Sequence, residues 1–277
     1  VEAMLPQLRF EGFSGEWKTQ ALSDVAKIVG GGTPDTAIPE YWTGHINWYS
    51  PTEIGLTRFV KESTRKITDL GFQKSSARLL PANQTVLFTS RAGIGDMAIL
   101  KAEGTTNQGF QSLIVNDHND VYFIYSMGHL IKREALRVAS GSTFLEISGK
   151  ALGKIKQQFP LKKEQTKIGE LFQKLDRAIE LQQQKVEQSE RYKKAMLQKM
   201  FPQKGETEPQ LRFEGFSGEW EAHALSDVAK IVGGGTPDTT IPEYWNGDIN
   251  WYSPTEIGLT RFVKESTRKI TDLGFQK

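Results

Sequence analysis

The chain has no cysteine among its 277 residues, which removes disulfides, thiolate nucleophiles and cysteine-ligated zinc together. Long hydrophobic runs are missing too. Mean hydropathy is −0.45, and no apolar stretch reaches the roughly 18 residues that a membrane span needs. With no charged-apolar-small leader, the chain is expected to be cytoplasmic. Histidine is scarce: His45, His118, His129 and His223 are scattered without metal-ligand spacing and read as surface or loop residues. Neither sign of charge dominates, with 35 Lys and Arg against 33 Asp and Glu for a net +2. Nucleic-acid binding would therefore have to come from a local basic face. At 38% hydrophobic and 25% charged residues, the composition supports the core of one or two domains.

Catalytic signatures are missing as well. The run Gly30-Gly31-Gly32-Thr33 lacks the spaced Gly-Lys-Ser/Thr of a phosphate loop and the G-x-G-x-x-G of a dinucleotide fold, so it reads as a structural turn. Ser14 sits in Gly-Phe-Ser-Gly rather than in a G-x-S-x-G elbow. The nuclease-like pair Pro34-Asp35 has its only Glu-x-Lys neighbour upstream, at Glu16-Trp17-Lys18. No Pro-Pro occurs, which excludes the Asn/Asp-Pro-Pro-aromatic tetrapeptide of amino-methyltransferases. No catalytic residue, metal or cofactor is assigned to this chain.

What is present, above all, is a repeat. Residues 5–74 recur as 208–277 with seven differences in 70 positions, one of which replaces Lys18 by Glu221. The second copy reaches Lys277 with no equivalent of Ser75 to Lys150, so one whole unit and the beginning of another are expected. Between Trp17 and about Gly149 the chain reads as β-rich. Candidate strands are Ile46–Tyr49, Thr85–Thr89, Met97–Leu100 and Ser112–Val115, bounded by Gly, Pro, Asn and Asp. Ala21–Val29, capped by Ser23, reads as a short helix or a strand-like lead-in, and Val121–Ala139 has helical spacing.

After Pro160 the pattern changes. From Lys163 to Met200 the apolar residues Ile168, Phe172, Leu175, Ile179, Val186, Met196 and Met200 follow a 3.5-residue repeat, the seam of a coiled coil. A helix packed on its own domain is the competing reading, and the polar seam positions Gln182, Ser189 and Lys193 weigh against it. The expected fold is mixed α/β: a β-rich domain, a long coiled-coil helix, then a partial repeat of the domain.

Aromatics interleave with amides and hydroxyls over Tyr41-Trp42 and Ile46–Thr52, with cations at Lys61, Arg65, Lys66, Lys74, Arg78, Arg91 and Lys101. Asn and Gln suit adenine, Arg suits guanine and Lys suits phosphate, although such residues also build cores and solvated faces. Four ordered motifs then carry a resemblance. They are Gly31-Gly32-Thr33-Pro34; Pro39-Glu40-Tyr41-Trp42-x-Gly44-x-Ile46-x-Trp48; Thr89-Ser90-Arg91-Ala92-x-Ile94-Gly95; and Thr106 to Leu113. Together they resemble the target-recognition domain of specificity (S) subunits of type I restriction-modification systems. Gly141 to Ser148, Pro160 to Ile179, and Leu197 to Pro202 resemble that family's junction and helical spacer.

The resemblance implies a target-recognition domain over 1–150, a helical spacer over 151–202, and a linker with a partial second recognition domain over 203–277. In that family S subunits are non-catalytic: each recognition domain reads one half of an interrupted double-stranded DNA target, and the spacers dock methyltransferase (M) subunits. S-adenosylmethionine, Mg²⁺ and ATP would belong to the M and restriction (R) partners, so no cofactor is expected here. One recognition domain and one spacer make the chain resemble a half-subunit or a rearranged product. It would pair as a homodimer through Ile168, Phe172, Leu175, Ile179, Val186, Met196 and Met200. The shared motifs serve the scaffold, so base readers are expected between them: Thr52, Glu53, Arg58, Ser90, Arg91, Lys101, Thr105, Gln108, Gln111 and Thr143. Phosphates fall to Lys61, Lys66, Arg78 and Lys150. A decoy or recombination reservoir that binds M without a working complex is the alternative, and a stand-alone nuclease ranks below both. Because Ser75 to Lys150 exists once, the two copies of the first half compete for it. The N-terminal copy, continuous with Ser75, is expected to win over a permuted arrangement.

Overall fold

A computed structural model describes residues 6–91, 93–141, 145–258 and 260–276. The chain divides into two compact units, the first ending at Glu190 and the second starting at Arg191. The architecture is mixed α/β, with a β-rich unit, a long helix and a second β-rich region. Among the described residues no helix is long and apolar enough to cross a membrane.

The first unit opens with β1 (Lys18–Ala21), α1 (Leu22–Val25), β2 (Ala26–Gly30) and β3 (Trp42–Tyr49). It continues through β4 (Phe59–Val60), β5 (Arg65–Ile67), α2 (Asp69–Gln73), β6 (Thr85–Phe88), β7 (Met97–Leu100), β8 (Gly104–Thr106) and β9 (Gln111–Val115). It closes with α3 (Val121–Ser126), α4 (Gly128–Val138), α5 (Gly149–Gly153), β10 (Lys156–Phe159) and α6 (Lys162–Met200), the last of which carries the boundary between the units. One sheet has the order β2-β9-β6-β7-β4, a second has β5-β3-β8, and β1 pairs with β10 alone.

The apolar runs of β6 and β7 are explained by burial on both faces. Val86 and Phe88 with Met97 and Ile99 face a core shared with Leu22, Ile124, Ile131 and Leu152 from the helices. Leu87, Ala98 and Leu100 face a second core with Tyr49, Leu80 and Phe110. Each such side chain contributes about 1.5–3 kcal/mol when fully buried.

Three local readings change. Ala21–Val29 is both helix and strand, α1 giving way to β2, and Ser23 lies inside α1 while the Asp24 carboxylate accepts from the Ala21 N–H at 2.9 Å. The expected single helix over 121–139 is two, α3 and α4, meeting at Met127, with Asp120 Oδ1 accepting from the Phe123 N–H at 2.8 Å to cap α3. The glycine run is a place of close backbone approach: a Cβ on Gly31 would lie 1.9 Å from the Asn107 carbonyl. Only glycine fits there.

The second unit contains the end of α6, then α7 (Leu225–Val228), β11 (Trp245–Trp251), β12 (Arg268–Ile270) and α8 (Asp272–Phe275). β11 and β12 reproduce the β3–β5 pairing. Arg268 stacks on Trp245 at 3.5 Å, as Arg65 does on Trp42 at 3.6 Å. The apolar residues differ sharply: Leu22 and Val25 are fully buried, whereas their copies Leu225 and Val228 are 74% and 66% exposed.

Candidate nucleic-acid interface

One rim of the β-rich unit collects several loops whose positions are set by backbone pairing. β2 ends at Gly30, opposite Gln111 at the start of β9. The Gly32 N–H donates to the Thr106 carbonyl at 2.8 Å, which lays Thr33 beside Gln108, and Thr33 Oγ1 donates to Gln108 Oε1. Asn107 Oδ1 accepts from the Gly109 N–H at 2.8 Å and shapes the next turn. A Cβ on Gly109 would meet Pro51 at 2.9 Å and the Arg91 guanidinium at 3.4 Å. Ser90 N–H donates to Gly109 at 2.8 Å and Ile147 N–H to Ser90 at 3.0 Å, so the Glu146 segment runs alongside Arg91. Gln111 Oε1 would lie 2.7 Å from a Cβ on Gly149, the neighbour of Lys150.

These contacts bring Thr52, Arg91, Gln108, Gln111 and Lys150 onto that rim. Thr52, Gln108 and Lys150 are exposed, and Arg91 and Gln111 are half-buried. Arg78 lines a cleft over β2 with Lys27 and Gly30, next to the same rim. Lys27 had no signal in the sequence beyond its charge. Amides, hydroxyls and a guanidinium among cations can hydrogen-bond base edges and phosphates.

Other expected readers are engaged elsewhere. Glu53 folds back on its own loop: burial disfavours its charge, but the Thr64 N–H at 2.6 Å and the Ser50 N–H at 2.8 Å hold its carboxyl below the ordinary value. Ser90 and Thr105 are fully buried, and Thr105 Oγ1 donates to the Asn47 carbonyl at 2.9 Å. Lys101 lies 5.0 Å over the Phe59 ring, apart from the rim. Lys66 stands on β5 opposite Asn47, and Lys61 is exposed on the preceding loop. Thr143 lies outside the described residues. Among the described residues no group of three or more His, Asp or Glu is placed to hold a metal ion.

Arg58 is the largest departure from the expected set. Its Nε and Nη2 each donate to Glu180 of α6 at 2.6 Å, and its Nη1 donates to Tyr122 Oη at 2.6 Å. Tyr122 Oη in turn donates to Asp176 at 2.6 Å. Hydrogen bonding from Arg58 holds the Glu180 carboxyl below its ordinary value, and burial first, then the Asp176 hydrogen bond, pushes the Tyr122 phenol up. The donors expected to read a base are thus taken up inside the protein. Of the expected seam, Ile168 packs against the main core, whereas Phe172, Leu175, Ile179 and Val186 are 43–56% exposed. Met196 and Met200 are half-buried.

Residues 14–191 match the type I restriction modification DNA specificity domain. The chain is 31% identical over 241 residues to the type I restriction enzyme MjaIX specificity subunit of Methanocaldococcus jannaschii, covering 79% of this chain and 53% of that one. It is 33% identical over 198 residues to the EcoR124I/EcoR124II specificity subunit of Escherichia coli, covering 65% and 48%. The chain thus spans about half the length of these curated relatives. A solved chain from work on complex assembly and conformational transition of the type I R-M system shares the fold, with TM-score 0.52 and 16% identity over 67% of this chain and 45% of that one. With the match running through both the β-rich unit and the long helix, the chain belongs to the type I restriction modification DNA specificity family, whose members are non-catalytic specificity subunits.

Proposed function

We propose that this chain is a sequence-recognition component that reads one half of an interrupted double-stranded DNA target through the rim formed by Thr52, Arg91, Gln108 and Gln111. Lys150 and Arg78 contact phosphates there, and Lys61 and Lys66 serve phosphates further along the surface. The gathering of these side chains from five separate segments onto one rim carries the reading. In the cytoplasm the chain works with M subunits, and with R subunits where the complex restricts. The exposed stripe of Phe172, Leu175, Ile179 and Val186 supports pairing with a second copy. A two-fold dimer presents two identical rims, so its target is an interrupted palindrome.

The test is DNA binding by the chain assembled with its M subunit, followed by fluorescence anisotropy across salt concentrations. Arg78→Ala and Lys150→Ala should weaken binding equally on all sequences and lower the salt slope by about 1 each. Gln111→Ala and Arg91→Ala should change base preference by about 1–3 kcal/mol per lost bidentate contact. A uniform loss from all four would refute this division, and binding of M without sequence-specific DNA binding would favour the decoy reading.

A further inference from the structure

The direction in which α6 leaves the β-rich unit is held by a second stripe, one residue on from the apolar one: Gln165, Gly169, Gln173, Asp176 and Glu180. The near end is gripped first. Arg9 forks onto the buried Glu164 with two contacts of 2.7 Å, and Gln165 Nε2 donates to Asn119 Oδ1 and to the Pro160 carbonyl at 2.9 Å each. The far grip is the Arg58 cluster. Besides Glu180 and Tyr122, Arg58 Nη1 reaches the Gln173 carbonyl at 3.3 Å, and the guanidinium lies 5.2 Å over the Phe59 ring. The Arg58 side chain is only 11% exposed.

Gln165 and Glu180 stand about 22 Å apart along the helix axis at 1.5 Å per residue. Two grips so separated define a direction, whereas one alone is a pivot. If the far grip lets go and the helix moves by about 2 Å at Glu180, the displacement grows to about 3.3 Å by Glu190, roughly 38 Å from the pivot. That equals about one base-pair step of DNA, 3.4 Å. A fork that satisfies Glu180 with two nitrogens and Tyr122 with the third is a task for a planar guanidinium, and lysine cannot reproduce it.

We propose that Arg58 is a positioning residue that fixes the angle between the recognition domain and α6, and thereby the number of base pairs that separate the two half-sites. The first half of this statement stands on the clamp alone. The second rests on the function proposed above.

Because the chain has no cysteine, spin labels on Glu62→Cys and Gln184→Cys, both exposed in the first unit, are unique. In the full chain, diluted with excess unlabelled chain so that a pair carries at most one labelled copy, double electron–electron resonance should give one narrow distance distribution. Arg58→Ala should broaden it about twofold and Arg58→Lys should fail to restore it. Glu180→Ala removes the partner from the helix while changing no residue of the β-rich unit, and should broaden the distribution equally. Arg177→Ala, which meets Glu180 only at 3.6 Å, should leave it narrow. A distribution in Glu180→Ala as narrow as in the parent overturns the clamp.

In complex with M, the parent should prefer one half-site spacing over its one-base-pair neighbours by about tenfold, and Glu180→Ala should reduce that to about threefold or less while keeping single half-site binding. A broadened distribution with an unchanged spacing preference overturns the DNA half of the proposal. A parent complex that binds no specific DNA overturns that half together with the proposed function, while the label distances still decide the clamp.

Discussion

Replacing Gly169 with alanine sets two effects of similar size against each other. In an exposed helix interior the change stabilises by about 0.8–1.0 kcal/mol, because alanine restricts the unfolded chain and favours the helix. Gly169 is not exposed: it lies against the start of α3. A Cβ there would lie 2.7 Å from Asp120 Oδ1 and 3.2 Å from the Phe123 nitrogen. Asp120 Oδ1 is the cap of α3, bonded to that same nitrogen at 2.8 Å, so it cannot move away without losing the bond. Loss of a cap costs about 1 kcal/mol, and forcing an extra methyl into a close contact costs about 1–3 kcal/mol. The sum favours glycine, and Gly169→Ala should destabilise by about 1–3 kcal/mol. Urea unfolding followed by circular dichroism should show a lower midpoint with an unchanged slope. In an Asp120→Ala background the nearest obstacle recedes, and the same substitution should become neutral or stabilising. A raised midpoint in the parent, or an equal cost in both backgrounds, would refute the close-approach argument.

Three further outcomes follow from the same contacts. The folded Glu180 carboxyl is held low by Arg58, so the clamp is complete above the unfolded carboxylate value of about 4.3 and is lost as pH falls through the folded value. Label distances should stay narrow down to about pH 5 and broaden only below it; broadening between pH 7 and 6 would point to another group. Leu175→Glu with Ile179→Glu should give monomers by light scattering, and a persistent dimer would remove α6 from the interface. Amide exchange should be fast over 225–232 and slow over 22–29, although the eight residues are the same in both; equal protection would mean that the tail's apolar side chains are covered.

What the sequence displays depends on how local its causes are. β6 and β7 are legible because both faces are buried and the apolar runs are unbroken. The stripe of α6 is legible because its period lies within one segment. β1 and β10 are not: Lys18 pairs with Phe159, and nothing near either residue records the other. Likewise, Gly31 reads as a turn until the Asn107 carbonyl is seen beside it. At the rim, residue type alone is what the sequence offered for proposing Gln108, Gln111 and Arg91 as readers. Arg58 reads the same as Arg91 in sequence, and only the position of Glu180 shows that its guanidinium is held by α6. The partner stripe of α6 was present at Gln173, Asp176 and Glu180, one residue out of phase with the apolar one, but polar residues on a helix ordinarily read as solvated.

The long-range pairing of β1 with β10 also sets a timetable. Trp42 to Ile67 can pair as soon as both are made, and the β11–β12 copy keeps that arrangement with its apolar neighbours exposed. Lys18–Ala21 must wait for Phe159. Once β10 has been synthesised, the surface formed by the later strands can close over the N-terminal copy. Leu225, the first apolar residue of the tail's α7, comes 66 residues after Phe159, which at about 5–20 residues per second is a delay of about 3–13 s. Two-state α/β domains of up to about 110 residues fold faster than that. Translation order therefore favours the first copy before any difference in affinity can act, and the 70-residue duplicate is expected to meet a surface already filled.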